Sequence, residues 1–160
     1  MKIYYSRKSK DSFKNAKAAV EDSTGIRDEL VHDEKGRPFF ASSDVRISIS
    51  HSEDYWVCVL SDEDAGIDIE EIKERNWEKI AERYFTETEK ETVRREGITG
   101  FYRVWTAKEA CAKKNHFGVA NILNKDVEGV EIRYIDIDSR YVMCICADNI
   151  PDKVEIKGLD

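Results

Sequence analysis

A short segment, Gly66-Ile67-Asp68-Ile69-Glu70, combines two carboxylates with the period of a β-strand. Successive side chains of a strand point to opposite faces, so Asp68 and Glu70 share one face and Ile67 and Ile69 the other. Two neighbouring carboxylates repel each other and need a cation if they are buried. Their hard oxygens suit Mg²⁺, which binds one or two carboxylates, waters and the phosphate oxygens of a substrate. A strand with one face open to solvent explains the same alternation.

A third carboxylate belongs to a predicted helix, because residues 101–117 contain no Pro or Gly and are rich in Ala, Lys, Glu and Arg. Residues spaced by four form one stripe of a helix, here Phe101, Trp105, Glu109 and Lys113. The aromatic residues should face the core, which leaves Glu109 and Lys113 partly desolvated at its edge. A carboxylate in that position can bind a metal or act as a base. The alternative is a surface ion pair worth about 0.3–0.5 kcal/mol.

Groups that could bind an anion precede both segments. A strand that alternates from Val45 to Ser50 ends at Ser50-His51-Ser52, where hydroxyl and imidazole groups can converge on an anion. In Gly36-Arg37-Pro38, the glycine permits a bend and the proline stiffens it, which holds the Arg37 cation in a fixed place. The alternative for His51 is an incidental hydrogen bond at the end of the strand. The alternative for Gly36-Arg37-Pro38 is a plain turn.

The composition limits the class of protein. A chain of 160 residues with 41% hydrophobic residues can build one domain, or two small halves that share one core. Its net charge of −7 makes a nucleic-acid backbone a poor partner, so an anionic ligand requires a local basic pocket. We expect a cytoplasmic protein without membrane contact, because no apolar run could span a bilayer and the first residues are too polar for a signal peptide. The cysteines lack paired spacing and are predicted to be reduced core residues: Cys58, Cys111, Cys144 and Cys146.

Strand and helix patterns alternate irregularly, which predicts an α+β fold. Strands are predicted at residues 3–5, 29–32, 45–50, 55–60, 66–70, 129–137, 140–147 and 153–157, and helices at 10–21, 76–85, 87–95 and 101–117. The strands 45–50 and 55–60 should form an antiparallel hairpin. The first helix should bury Phe13, Ala16, Ala19 and Val20. Thr86 and Glu89 form a capping box for the third helix, which Gly97 closes.

Five segments together resemble, in order and spacing, the 4′-phosphopantetheinyl transferase superfamily. They are Gly36-Arg37-Pro38, Ser50-His51-Ser52, Gly66-Ile67-Asp68-Ile69-Glu70, Phe85-Thr86 with Glu89, and Trp105-Thr106-x-Lys108-Glu109-Ala110-x-x-Lys113. They span about half the chain, from Gly36 to Lys113. The combination is far more specific than any single segment.

The resemblance implies a fold. Because a half-domain precedes Gly66, the sequence is similar to the monomeric type of the family, known from activators of surfactin synthetase. That type implies two similar α+β halves that form a pseudo-dimer with the active site between them. The halves would be residues 1–62, with contacts to coenzyme A phosphates, and residues 63–160, with the metal and catalytic motifs.

The resemblance also implies a reaction: the 4′-phosphopantetheine arm of coenzyme A moves to a serine of an apo acyl or peptidyl carrier protein, and adenosine 3′,5′-bisphosphate is released. The matching metal ligands, for Mg²⁺ or alternatively Mn²⁺, are Asp68, Glu70 and Glu109. The matching catalytic residues are Asp68, Glu109 as base and Lys113. The matching contacts to coenzyme A are Arg37, Ser50, His51, Lys108 and Lys113. Arg37 stands where many relatives carry lysine, and Ser48 where relatives often have asparagine.

Other functions stay open beside this one. A catalytically silent relative would bind coenzyme A or a carrier protein without transfer, and an unrelated Mg²⁺-dependent phosphohydrolase would use the same acids. Arg94, Arg95 and Arg103 could form a basic patch for an acidic carrier protein, although a solvated charged face explains them too.

Overall fold

A computed structural model describes residues 1–160. The strands are β1 (Lys2–Ser6), β2 (Leu30–His32), β3 (Pro38–Phe40), β4 (Arg46–Ser52), β5 (Tyr55–Ser61), β6 (Ala65–Glu71), β7 (Glu131–Ile135), β8 (Tyr141–Ala147) and β9 (Glu155–Gly158). The helices are α1 (Ser12–Thr24), α2 (Trp77–Tyr84) and α3 (Glu87–Lys114), followed by a 3-10 turn at Val119–Asn121. The α+β prediction is confirmed, and each predicted element exists, with bounds that shift by a few residues.

Two sheets form the centre of the molecule. The first has the strand order β4-β5-β1-β9 and the second the order β6-β8-β7, while β2 and β3 form a separate hairpin. The predicted antiparallel pairing of β4 with β5 is confirmed, with Ser50 opposite Val57. In the second sheet, β6 pairs with β8 only, so its other edge faces β4 of the first sheet.

One apolar core joins the two sheets. Alternation on each strand sends apolar side chains to the same layer, in which Ile3, Val57 and Val59 of the first sheet pack with Ile67 and Ile145 of the second. These five side chains are at most 1% exposed. Burial of this kind stabilises by about 25 cal/mol per Å² of apolar surface, so the two sheets hold each other in place.

The four cysteines are reduced and buried, as predicted. Cys144 and Cys146 lie on one face of β8, and they pack with Cys111 of α3 in a separate apolar cluster. No helix of the fold has both the length and the apolar character needed to cross a lipid bilayer.

The structure differs from the predicted elements at three places. Phe13 is 54% exposed instead of buried, although Ala16, Ala19 and Val20 of α1 are buried as expected. The second helical segment of α3 begins directly after Gly97 instead of after Gly100, although Gly97 itself is non-helical (φ 63°, ψ −142°) and forms a kink that ends the first segment, as predicted. Strand β9 lies within the range 63–160 predicted for the second half, yet it pairs in parallel with β1 of the first sheet.

Candidate active site

Gly66 allows α3 to lie directly on β6. A Cβ atom at this position would stand 1.8 Å from the carbonyl oxygen of Ala110, so only glycine permits this distance between helix and strand. The close approach brings one face of α3, with Glu109 and Lys113, over the part of β6 that carries Asp68 and Glu70. The predicted stripe is confirmed: Phe101 is fully buried, its ring stacks on Trp105 at 6.1 Å, and Glu109 and Lys113 are half-buried.

Three serines of β4 bind the free edge of β6, and we call them the serine ladder. Their hydroxyl oxygens accept hydrogen bonds from backbone N–H groups of β6: Ser48 from Ile67 at 3.2 Å, Ser50 from Ile69 at 3.4 Å and Ser52 from Glu71 at 3.0 Å. An edge strand leaves such groups unpaired, and buried N–H groups need partners. The ladder therefore joins the sheets at the site. The ladder was not predicted from the sequence, although the alternate serines in β4 were an available signal.

Asp68 is held at the meeting point of β4, β6 and α3. The residue is 4% exposed, and its carboxylate oxygen Oδ1 accepts hydrogen bonds from Ser50 Oγ and Lys113 Nζ, both at 2.8 Å. The Lys113 ammonium also donates to the carbonyl oxygen of Ile67 at 3.1 Å. The second oxygen, Oδ2, is buried and has no hydrogen-bond partner.

Glu70 and Glu109 are electrostatic neighbours of Asp68. Burial, followed by the negative charge of Asp68, raises the pKa of both carboxyls above the ordinary glutamate value. The positive charges of Arg75 and Lys113 oppose this effect at Glu70. The three acids predicted from the sequence are therefore neighbours. Each carboxyl lies within the electrostatic field of at least one of the other two.

The three acids do not form a group that could hold a metal ion by themselves. The free Oδ2 of Asp68 nevertheless offers a buried acceptor without a donor, a state that is unfavourable unless a further group binds there. Carboxylate oxygens in such a cluster are the donors that Mg²⁺ prefers.

Residues of both halves of the chain line a cleft of about 1050 Å³. None of the three acids lines it, but Lys113, which does, binds Asp68. The positively charged or titratable lining of the cleft includes Arg37, Arg46, His51, Lys113 and His116. Arg46 and His116 were not identified from the sequence as cleft residues, because neither belongs to the five segments that carry the resemblance. Asp64 binds both of them, His116 at 3.0 Å.

The predicted turn holds Arg37 at the rim of this cleft. Gly36 adopts φ 78°, a conformation that favours glycine, and its N–H donates to the carbonyl oxygen of Asp33 at 2.9 Å. The Asp33 carboxylate pairs with the Arg37 guanidinium at 3.3 Å. The Arg37 cation is therefore fixed in place, as the sequence indicated.

Ser50 and His51 lie on opposite sides of β4. His51 is exposed and lines the cleft, which agrees with an anion contact. Ser50 is 8% exposed and faces β6, where its hydroxyl donates to Asp68. The structure thus corrects the expected direct contact of Ser50 with a coenzyme A phosphate: Ser50 positions the Asp68 carboxylate.

Lys108 requires a second correction. Its side chain is fully buried, and its ammonium contacts Glu89 at 2.7 Å and the carbonyl oxygens of Ile122 and Lys125 at 3.1 and 2.6 Å. These contacts use all three donors of the ammonium group, and none faces the cleft. Lys108 therefore links the start of α3 to the segment beyond its end and does not reach a phosphate.

The three arginines considered as a basic patch are paired with acids of the same helix. Arg94 contacts Glu87 and Glu91, and Glu96 contacts both Arg95 and Arg103. Because these glutamates neutralise the arginines within the helix, the three arginines are better explained as a solvated charged face than as a basic patch.

Comparisons with known proteins point to one family. The family model described as the 4′-phosphopantetheinyl transferase superfamily matches residues 64–154, which include β6 and α3. A putative 4′-phosphopantetheinyl transferase of Haemophilus influenzae is 33% identical over 110 residues, which are 64% of this chain and 46% of that protein. The 4′-phosphopantetheinyl transferase gsp of Aneurinibacillus migulanus is 38% identical over 84 residues, which are 50% of this chain and 35% of that protein.

A third relative aligns over more of the chain. A 4′-phosphopantetheinyl transferase of Bacillus subtilis is 30% identical over 148 residues, 78% of this chain and 66% of its own length. The chain thus spans about half the length of the curated relatives it matches. Since the family model covers more than half of the chain, and covers the strand and helix that build the acidic site, the protein belongs to the 4′-phosphopantetheinyl transferase superfamily.

Proposed function

We propose that the protein transfers the 4′-phosphopantetheine arm of coenzyme A to a serine of an apo acyl or peptidyl carrier protein and releases adenosine 3′,5′-bisphosphate. The observation that carries this proposal is the contact of Asp68, an electrostatic neighbour of Glu70 and Glu109, with Lys113. Lys113 lines a cleft whose lining also includes Arg37 and His51. The transferase activity for which the relatives are named points to the same reaction.

The cleft provides the binding energy for coenzyme A. Its cations and imidazoles can hold phosphate oxygens through charge-assisted hydrogen bonds, and Arg37 and His51 do so from the first sheet and its flanking turn. Phosphoryl transfer depends mainly on positioning and on neutralising charge. Binding the phosphates from one side fixes the phosphorus that the carrier serine attacks.

Lys113 connects the cleft to the acids. Its ammonium is bound to Asp68 and to the backbone of β6, while 30% of its side chain stays exposed toward the cleft. A cation anchored in this way needs little reorganisation to interact with negative charge that develops on the leaving phosphate. Lys113 thus stabilises the transition state, and Asp68 and the Ile67 carbonyl orient it.

Glu109 accepts the proton of the attacking serine. Burial and the charge of Asp68 raise the pKa of the Glu109 carboxyl, so its carboxylate is a stronger base than an exposed glutamate. The Glu109 carboxylate is half-buried at the edge of the aromatic stripe, so the hydroxyl of the carrier serine can contact it directly or through water. The nucleophile belongs to the carrier protein, so no serine of this chain attacks.

Asp68, Glu70 and Glu109 would hold the Mg²⁺ ion, with Mn²⁺ as an alternative. When bound, the ion would neutralise negative charge on the diphosphate of coenzyme A. The free Oδ2 of Asp68 and the mutual repulsion of the acids support this assignment.

We also propose the two-half, pseudo-dimeric type of the family, acting as a monomer. Each of the two sheets has its own helix in one chain, and the serine ladder joins them at the site. Analytical ultracentrifugation at micromolar concentration should give the mass of a single chain. A dimer of stable stoichiometry would contradict this part of the proposal.

Incubation with coenzyme A, Mg²⁺ and an apo acyl or peptidyl carrier protein distinguishes the possible functions. A carrier that gains the mass of one phosphopantetheine group, with release of adenosine 3′,5′-bisphosphate, supports transfer. Binding of coenzyme A or carrier without mass gain would identify a silent relative. Release of inorganic phosphate without modification of the carrier would identify a phosphohydrolase.

A further inference from the structure

A second aspartate joins the same three parts of the fold as Asp68. The carboxylate of Asp64, directly before β6, contacts the guanidinium of Arg46 on β4 and the imidazole of His116 beyond α3, the latter at 3.0 Å. We call these three residues the Asp64 junction. Each of them lies three or four residues along the chain from its counterpart in the first junction, which consists of Asp68, Ser50 and Lys113. The molecule therefore repeats one arrangement at two places.

The two junctions differ in their exposure to the cleft. Asp68 and Ser50 are buried, and only Lys113 of the first junction lines the cleft. All three members of the Asp64 junction line it, and the Arg46 side chain is 52% exposed. The Nη1 group of Arg46 contacts Asp64, so the guanidinium keeps further N–H donors for an anion in the cleft.

His116 adopts a backbone conformation that favours glycine. Its φ is 60°, and it lies where α3 ends in a Schellman motif: its N–H donates to the carbonyl oxygen of Lys113 at 3.2 Å, and the N–H of Phe117 donates to that of Ala112 at 3.1 Å. Glycine would adopt this φ without the steric cost that a side chain adds. The contact of the imidazole with Asp64 gives a physical reason for a histidine at this position.

His116 and Asp64 together restrict the Arg46 side chain. A long side chain loses rotamer freedom when it binds an anion, and a carboxylate that already holds it lowers that cost. The charge of the same carboxylate repels a phosphate, so the two effects of Asp64 on anion binding have opposite signs. We infer that Asp64 is a positioning residue, which His116 fixes from the other side, and that it presents Arg46 to a phosphate of coenzyme A. This inference rests on the proposed transfer function.

The sign of the effect of Asp64→Asn separates positioning from simple electrostatics. In calorimetric titrations of coenzyme A without carrier protein, Asp64→Asn should raise the Kd about two- to tenfold, the cost of ordering one long side chain. A carboxylate that only repels the substrate would lower the Kd when it is removed. Asp62→Asn is the matched control, because Asp62 is exposed in the same turn and does not line the cleft, and it should not raise the Kd. A lowered or unchanged Kd in Asp64→Asn would overturn the inference.

A double-mutant cycle tests whether Asp64 acts through Arg46. Arg46→Gln should raise the Kd for coenzyme A about tenfold or more, as expected for the loss of a charge-assisted hydrogen bond. In the Arg46→Gln background, Asp64→Asn should not raise the Kd further, because the side chain that it positions is gone. Increases that multiply independently would overturn the inference.

His116→Gly tests the positioning role without damage to the fold. The unfolding midpoint should not fall, because glycine adopts φ 60° freely, whereas the Kd for coenzyme A should rise. A wild-type Kd in this variant would overturn the role of His116.

Kinetics relate the inference to the proposed function. In the transfer assay, Asp64→Asn and His116→Gly should raise the KM for coenzyme A and leave kcat within about twofold of the wild type. If Asp64→Asn weakens the binding of coenzyme A but the wild type modifies no carrier, the proposed function fails while the inference stands. No binding of coenzyme A by the wild type would overturn both.

Discussion

Asp68 uses one carboxylate oxygen for Ser50 and Lys113 and leaves the other buried without a partner. The sequence could predict which side the carboxylates of Asp68, Glu70 and Glu109 face, because alternation on a strand and a four-residue spacing on a helix fix these directions. It could not predict that Ser50 turns toward Asp68, because this depends on the register of β4 against β6, which no local pattern specifies.

The free oxygen of Asp68 leads to a prediction for metal binding. Millimolar Mg²⁺ should raise the unfolding midpoint of the wild type, because a ligand that binds the folded state stabilises it, by about 2.7 kcal/mol at a concentration 100 times the Kd. Asp68→Asn should lose most of this shift, whereas Asp62→Asn, at an exposed position, should keep it. Equal shifts in wild type and Asp68→Asn by scanning calorimetry would remove Asp68 from the ion site.

Lys108 tests the correction to the predicted coenzyme A contacts. Lys108→Met should lower the free energy of unfolding by about 3–5 kcal/mol, because it leaves Glu89 and two carbonyl oxygens without their buried partner. The KM of the folded variant for coenzyme A should not change. Lys79→Met, at an exposed position, is the control for urea denaturation. A stable Lys108→Met variant with a raised KM for coenzyme A would restore the original expectation.

At the scale of elements, local signals predicted most of the fold. Thr86 and Glu89 form the capping box at the start of α3 with both reciprocal hydrogen bonds, and the β4–β5 hairpin has the predicted pairing. The position of Phe13 was wrong because helical period alone does not show where the covered surface of α1 ends. Gly97 ends the first segment of α3 with a positive φ, as predicted, because glycine adopts this conformation at little steric cost.

Gly66 determines how closely α3 and β6 approach. Gly66→Ala should destabilise the fold by about 1–3 kcal/mol or more and lower transfer activity, because the added Cβ meets a backbone carbonyl on a rigid helix. Gly118→Ala is the matched control: its Cβ meets no atom within 4 Å, its φ is −72°, and it should stay within about 0.5 kcal/mol of the wild type. A Gly66→Ala variant as stable and active as Gly118→Ala would disprove the close approach.

At the scale of the molecule, the two sheets form one unit through their shared core and the serine ladder. The sequence indicated two halves but not the return of β9 to the first sheet, where Asp160 also accepts hydrogen bonds from Ser6 Oγ and the Arg7 N–H, both at 2.7 Å. Pairing between segments more than 150 residues apart in sequence leaves no local signal. The division of the chain at residue 62 stays a prediction.

The acids of the site give the whole molecule a trade-off between stability and activity. The pKa of the Glu109 carboxyl is raised above its value in the unfolded chain, so between those two values the folded protein binds more protons. Stability therefore falls as pH rises through this window and stays lower above it. Glu109→Gln removes the charged form and should raise the unfolding midpoint at neutral pH without divalent cations.

The initial rate at which an apo carrier protein gains the mass of one phosphopantetheine group, measured with wild type and Glu109→Gln, tests the central claim most directly. We expect steady mass gain with the wild type in coenzyme A and Mg²⁺, and a rate about 10²–10⁴-fold lower with Glu109→Gln, as for loss of a general base. Asp62→Asn should match the wild type. No mass gain with the wild type on any acyl or peptidyl carrier protein, or equal rates for wild type and Glu109→Gln, would contradict the claim.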